Sequence, residues 1–149
     1  MVTRRFFLSA LGGLAAIPLC GQRSARASDT LTSLIDKVTN GARVREGKVN
    51  LTLPRLADNG HSVPLKVTVE SPMTAAEHVR TITLLSERNP RPVLATFHFG
   101  PRTGRAEVVT RVRLNGTQRV VAVAQLSDSS YWSASAEVEV TESACLDAT

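Results

Sequence analysis

Apolar and polar residues alternate with a period of two along most of this chain. Val49, Leu51 and Leu53 alternate with polar positions, and Val63, Leu65, Val67 and Val69 alternate with Pro64, Lys66, Thr68 and Glu70. Ile82 and Leu84 continue the pattern, followed by Val93, Ala95, Phe97 and Phe99. Val108, Thr110, Val112 and Leu114 face away from Val109, Arg111 and Arg113. Val120 to Leu126 and then Ala136, Val138 and Val140 complete the series. Such alternation marks strands with one buried face, because successive side chains point to opposite sides of a sheet. Asp58-Asn59-Gly60, Asn89-Pro90, Gly100-Pro101 and Asn115-Gly116 read as the turns between them. Asn115-Gly116, between Leu114 and Thr117, predicts a tight hairpin, since both residues tolerate positive φ. Seven or so short strands with no helix between them predict an all-β sandwich.

The period changes once. Leu31, Leu34, Ile35 and Val38 follow the spacing of one helix face. Asp29 or Thr30 can cap that helix and Gly41 can end it, which predicts a short N-terminal helix from about residue 30 to 40.

The first residues belong to neither pattern. Arg4 and Arg5 precede an apolar stretch from Phe6 to about Leu19, and Ala25-Arg26-Ala27 offers small residues before Ser28. A basic start, a short apolar segment and a small-residue site form an export signal cleaved between Ala27 and Ser28. The apolar stretch is too short to span a hydrocarbon core of ~30 Å, so no stable membrane anchor is expected. The paired arginines followed by Phe6-Phe7-Leu8 look like a twin-arginine (Tat) signal, which implies a periplasmic protein. Leu19 occupies the place where lipidation of Cys20 would need a small residue.

Removal of residues 1–27 changes the charge. The full chain has 18 Lys+Arg and 13 Asp+Glu, a net +5. The signal carries Arg4, Arg5, Arg23 and Arg26 and no acid, so residues 28–149 hold 14 basic and 13 acidic residues, a net +1. No dense basic run remains in the sequence, so nucleic-acid binding is not expected. One domain with its own core fits this length.

Chemistry is sparse. His61 sits in a turn, His78 before a strand and His98 on the polar phase of the Phe97–Phe99 strand. None has a spaced partner resembling a metal site, and no cofactor is expected. Asn115-Gly116-Thr117 matches a glycosylation sequon but is better explained as a turn. Tyr131 and Trp132 fit either a core or an edge contact. Cys145 is left as the single cysteine after the signal, beyond the last predicted strand. A lone thiol at an exported chain's end reads either as a reactive or intermolecular group or as a passive tail cysteine. From Val140 an extended arm would carry it about 17 Å.

Several segments in order resemble a known family: Leu53 to Gly60, Val63-Pro64-Leu65, Ser71-Pro72-Met73, Asn89-Pro90-Arg91-Pro92, Thr110 to Leu114, Thr117 to Ala124 and Leu126-Ser127-Asp128. They resemble SoxY, the sulfur-oxidation carrier proteins, from the signal to Cys145. The resemblance implies an immunoglobulin-like β-sandwich with a flexible C-terminal arm, paired with a SoxZ-like subunit. It implies that Cys145 is the covalent attachment point for sulfur intermediates and that the chain is not an enzyme. A haem-containing enzyme would conjugate thiosulfate to Cys145, and other Sox-type enzymes would process the adduct. The family's arm reads Gly-Gly-Cys-Gly-Gly, whereas here it reads Ser143-Ala144-Cys145-Leu146-Asp147. Three functions stay open: a covalent carrier, a structural or regulatory relative that pairs but carries nothing, and, ranked last, a stand-alone thiol enzyme. The expected organisation is a signal over 1–27, a sandwich over 28–141 and an arm over 142–149.

Overall fold

The computed structural model describes residues 23–142. A helix α1 (Arg23–Thr39) comes first. Nine strands follow among the described residues: β1 (Val44–Glu46), β2 (Val49–Thr52), β3 (Leu56–Asn59), β4 (Val63–Val69), β5 (Val79–Ser86), β6 (Val93–His98), β7 (Ala106–Val112), β8 (Gln118–Leu126) and β9 (Tyr131–Glu142). They form an immunoglobulin-like β-sandwich of two sheets. The larger runs β1-β9-β8-β5-β6 with β3 also on β9, and the smaller runs β2-β4-β7. Among the described residues no helix is long and apolar enough to cross a membrane.

The alternation read from the sequence builds the interior. Val63, Leu65, Val67 and Val69 of β4 meet Ile82 and Leu84 of β5, Val120 and Ala122 of β8, and Val138 and Val140 of β9. The opposite face of the larger sheet is buried too. Leu85, Val121, Val123 and Tyr131 pack under Leu31, Leu34, Ile35 and Val38 of α1. β5 and β8 are therefore buried on both faces, as is common where a helix covers a sheet. Asn40 takes a left-handed φ of 53°, and the Gly41 amide donates to the Asp36 carbonyl at 2.8 Å, closing the helix in a Schellman-type stop.

Five expectations are corrected. The helix is already formed at Arg23, the first described residue, seven residues before the expected start near 30, and its backbone runs through Ala27 and Ser28. Arg, Ala and Ser carry no helix-breaking geometry, so the turn pattern extends upstream of the apolar stripe. Asp58-Asn59 is not a turn but the end of strand β3, which runs parallel to β9. A three-residue strand, β1, also pairs in parallel with β9, so nine strands replace seven or so. Both are too short and too polar to show a period.

Asn115-Gly116 does not make a hairpin. β7 pairs with β4 in the smaller sheet, whereas β8 pairs with β5 and β9 in the larger. The turn therefore carries the chain across the sandwich. Gly116 takes φ of 75°, while Asn115 stays out of the left-handed region that a two-residue hairpin turn would demand of it. The Asn115 amide donates instead to Asn89 Oδ1 at 2.9 Å.

The phase of β6 also shifts. A bulge between Leu84 and Leu85 sets Leu85 opposite Val93 and Leu84 opposite Ala95. The extra residue lets Leu94 pack on the core and leaves Val93 46% exposed.

Candidate functional site

The described chain ends at the end of β9, and every residue that holds this end comes from elsewhere in the sequence. β8 lies along one side of β9, pairing from Gln118↔Val138 to Gln125↔Tyr131. On the other side β1 covers Tyr131 to Ser133 and β3 covers the stretch from Glu139 to Glu142. The Glu139 amide donates to the Arg55 carbonyl at 2.9 Å. The Thr117 hydroxyl accepts from the Val140 amide at 2.9 Å and donates to the Val140 carbonyl at 3.4 Å. The Thr141 hydroxyl donates to the Asp58 carbonyl. Gly60 closes the arrangement: its amide donates to the Glu142 carbonyl at 2.7 Å, and its carbonyl accepts from the Leu114 amide at 2.9 Å.

This end of the sandwich is acidic. Asp58, Glu137, Glu139 and Glu142 are all exposed. A groove of about 730 Å³ beside them is lined by Leu51, Leu53, Arg55, Thr117, Glu137 and Glu139. Arg119 pairs with Glu137 at 3.4 Å. The described end of β9 is thus fixed on both sides, with carboxylates, Arg55 and Arg119 around it.

The sequence-derived site residues fall as follows. Cys145, the expected attachment point, lies outside the described residues, as do Cys20 and the signal arginines Arg4 and Arg5. Ala27 and Ser28 lie on the backbone of α1. β9 runs to Glu142, the last described residue, three positions before Cys145 in the sequence. Three residues reach at most about 10 Å when extended. Gly60, Thr117 and Asp58 are the supporting residues that sequence reading missed. Their only local signals were Asp-Asn-Gly and Asn-Gly-Thr, which read as turns.

The remaining sequence candidates are dispersed. His61 is exposed and its amide donates to Asn59 Oδ1 at 3.2 Å. His78 Nδ1 lies 3.1 Å from the Thr74 carbonyl. Among the described residues no group of three or more His, Cys, Asp or Glu could hold a metal ion. Tyr131 is buried under α1, its hydroxyl accepting from Gln125 Nε2 at 2.9 Å. Trp132 is half-buried, with Lys48 Nζ 5.3 Å and the Arg45 guanidinium 5.7 Å from its ring centre. Gly47, at φ of 107°, brings the chain against that ring. Asp128 is held below the ordinary carboxylate range by the Ser130 hydroxyl at 2.6 Å and then by the Ser130 amide at 2.9 Å.

Comparison with known proteins places this geometry. The family model described as "Sulfur oxidation protein SoxY" matches residues 35–145. Among solved structures, the chain is similar to the sulfur carrier protein SoxY from Chlorobium limicola f thiosulfatophilum. The identity is 26%, the TM-score 0.67, and the match covers 78% of this chain and 96% of that one. It is also similar to a superoxide reductase (neelaredoxin) from Ignicoccus hospitalis, at 21% identity and TM-score 0.57, covering 63% of this chain and 80% of that one. A superoxide reductase from Nanoarchaeum equitans matches at 12% identity and TM-score 0.54, covering 64% of this chain and all of that one. The two reductases share the fold alone. No curated protein sequence matches.

Proposed function

The chain belongs to the SoxY family of sulfur oxidation proteins, and we propose from that premise that it is a carrier in sulfur oxidation whose Cys145 holds the cargo covalently. The observation that carries this reading is the span of the family match. It ends on Cys145 itself, three residues beyond the pinned end of β9. A carrier needs a rigid body and a short tether that enters another protein's cleft. About 10 Å of chain beyond Glu142 is such a tether.

The chemistry asked of the thiol is simple. Joining thiosulfate to Cys145 forms a sulfur–sulfur bond, releases the thiol proton and passes two electrons to a haem-containing enzyme. Other Sox-type enzymes then act on the adduct, so the chain is a substrate and not a catalyst. Glu142 and Asp147, close to Cys145 in the sequence, would disfavour the thiolate and oppose an anionic adduct. The thiol would then react only where a docked enzyme supplies positive charge.

Two further parts of the reading rest on sequence. Arg4-Arg5 and the Ala27/Ser28 site support export to the periplasm by the Tat route. A SoxZ-like subunit is the proposed partner, from the family resemblance. The absence of glycines around Cys145 supports a second reading, a family member that pairs but carries nothing. Intact mass after incubation with thiosulfate and the conjugating enzyme separates the two. A thiosulfate adduct that disappears in Cys145→Ser supports the carrier, and an unmodified mass under the same conditions supports the second reading.

A further inference from the structure

Each sheet ends in an unpaired strand on the same side of the sandwich: β6 closes the larger and β7 the smaller. A cleft of about 280 Å³ between them is lined from both. Arg91 and Val93 stand at its β6 side, and Arg111 and Arg113 at its β7 side. Val93 is 46% and Val109 of β7 is 71% exposed, two of the few large apolar side chains that face water.

The stretch of chain that supplies Arg91, Arg111 and Arg113 to this cleft is basic. From Arg88 to Arg113 there are six arginines and one glutamate, a net +5. Residues 114–149 carry one arginine and five acids, a net −4. The single glutamate of the basic stretch, Glu107, is occupied by Lys66 at 3.1 Å. Among the described residues no carboxylate lies within 4.0 Å of the Arg91, Arg111 or Arg113 guanidinium. Arg111 Nη1 reaches only Ser62, at 3.4 Å from its Oγ and 3.5 Å from its carbonyl oxygen.

These cations are held in place. Asn89 Nδ2 donates to the Arg113 carbonyl at 2.7 Å, and Asn89 Oδ1 accepts from the Asn115 amide and from Gln118 Nε2, each at 2.9 Å. Gln118 is 4% exposed. The loop bearing Arg91 is thereby fixed to the end of β7, which lowers the ordering cost of binding.

A free strand edge offers a row of unpaired N–H and C=O groups. Arg111 in β7 and Arg113 just past its end are two residues apart, the side-chain repeat of a strand laid beside them. We propose that the β7 edge docks an extended acidic segment of a partner protein, pairing main chain with main chain and carboxylates with Arg91, Arg111 and Arg113. Val93 in the cleft and Val109 on the outer face of β7 are the exposed apolar side chains of these two strands. A single-stranded nucleic acid would use stacking rings rather than a strand edge, and none of these five side chains is aromatic. The β7 end of this surface reaches the Leu114–Gly60–Glu142 junction, but the proposal uses neither β9 nor Cys145 and stands independently of the carrier reading.

The test uses the whole chain and a fluorescein-labelled peptide of alternating Glu and Val, seven residues long to match β7. Fluorescence anisotropy at low salt should show saturable binding. Arg91→Ala, Arg111→Ala and Arg113→Ala together should weaken it by roughly tenfold or more. N-methylation of alternate peptide amides should weaken it as well, and a Lys/Val peptide should not bind. Amide exchange of the unsubstituted chain should slow along β7 when the Glu/Val peptide is added, a readout that survives if the triple variant fails to fold. Absent binding, or no slowing along β7, would overturn the proposal. So would equal binding of the methylated peptide or of an oligonucleotide, or self-association that only the arginine variant abolishes, which would assign the edge to a second copy of the chain.

Discussion

The Gly60 amide donates to the Glu142 carbonyl at 2.7 Å, tying the exit of β3 to the last described residue of β9. Gly60 is buried, and its own carbonyl accepts from Leu114 at the exit of β7. Three strand ends therefore meet at one residue. The residues of the proposed carrier arm follow that junction in the sequence.

The root depends on Thr117, whose hydroxyl satisfies both polar groups of the Val140 main chain. Val140 is 7% exposed, so water cannot substitute freely. Thr117→Val keeps the shape and removes the partner, which should cost about 1–3 kcal/mol. Urea unfolding measures this. Unchanged stability would show that β3 alone holds the root.

Cys145→Ser should abolish covalent loading and leave folding intact. The residue lies beyond the last strand and its substitution should shift stability by no more than about 0.5 kcal/mol. Replacing Ser143, Ala144, Leu146 and Asp147 with glycine should preserve or raise loading by the conjugating enzyme, because it widens the accessible backbone conformations and removes one negative charge. Time-resolved intact mass follows both. Loading of neither the native nor the glycine arm would leave only the non-carrying reading.

Arg4→Lys with Arg5→Lys should leave full-length precursor in the cytoplasm. Cell fractionation with detection of the processed form, expected to begin at Ser28, checks it. Unchanged export in a strain lacking the Tat translocase would reject the route.

Asp128 links the acid response to the turn between β8 and β9. The Ser130 hydroxyl holds its carboxyl below the ordinary value, so the unfolded chain takes up this proton more readily than the folded one. The contribution is fully present above the unfolded value and is lost as pH falls through the folded one. Ser130→Ala should move the Asp128 titration upward, toward the ordinary carboxylate value, and make stability less sensitive to acid. An NMR pH titration of the Asp128 side chain reads the shift directly, and an unmoved titration would show that the hydroxyl is not its cause.

The strand alternation of residues 63–69 and 108–114 and the apolar stripe from Leu31 to Val38 were legible in the chain. Each is a local property, fixed by side-chain direction over a few residues. The family resemblance added the expected role of Cys145 because its segments kept their order. Which strands became neighbours was not legible. β1 and β3 have too few residues for a period, and only their parallel pairing with β9 makes them strands. Asn115-Gly116 has the local chemistry of a hairpin, but the inward faces of β7 and β8 are satisfied across the core, so they join different sheets. The arginines of residues 88–113 form no run, and only the adjacency of the β6 and β7 edges gathers Arg91 with Arg111 and Arg113. Backbone pairing and charge proximity depend on distance through space, and the tertiary fold alone sets that distance.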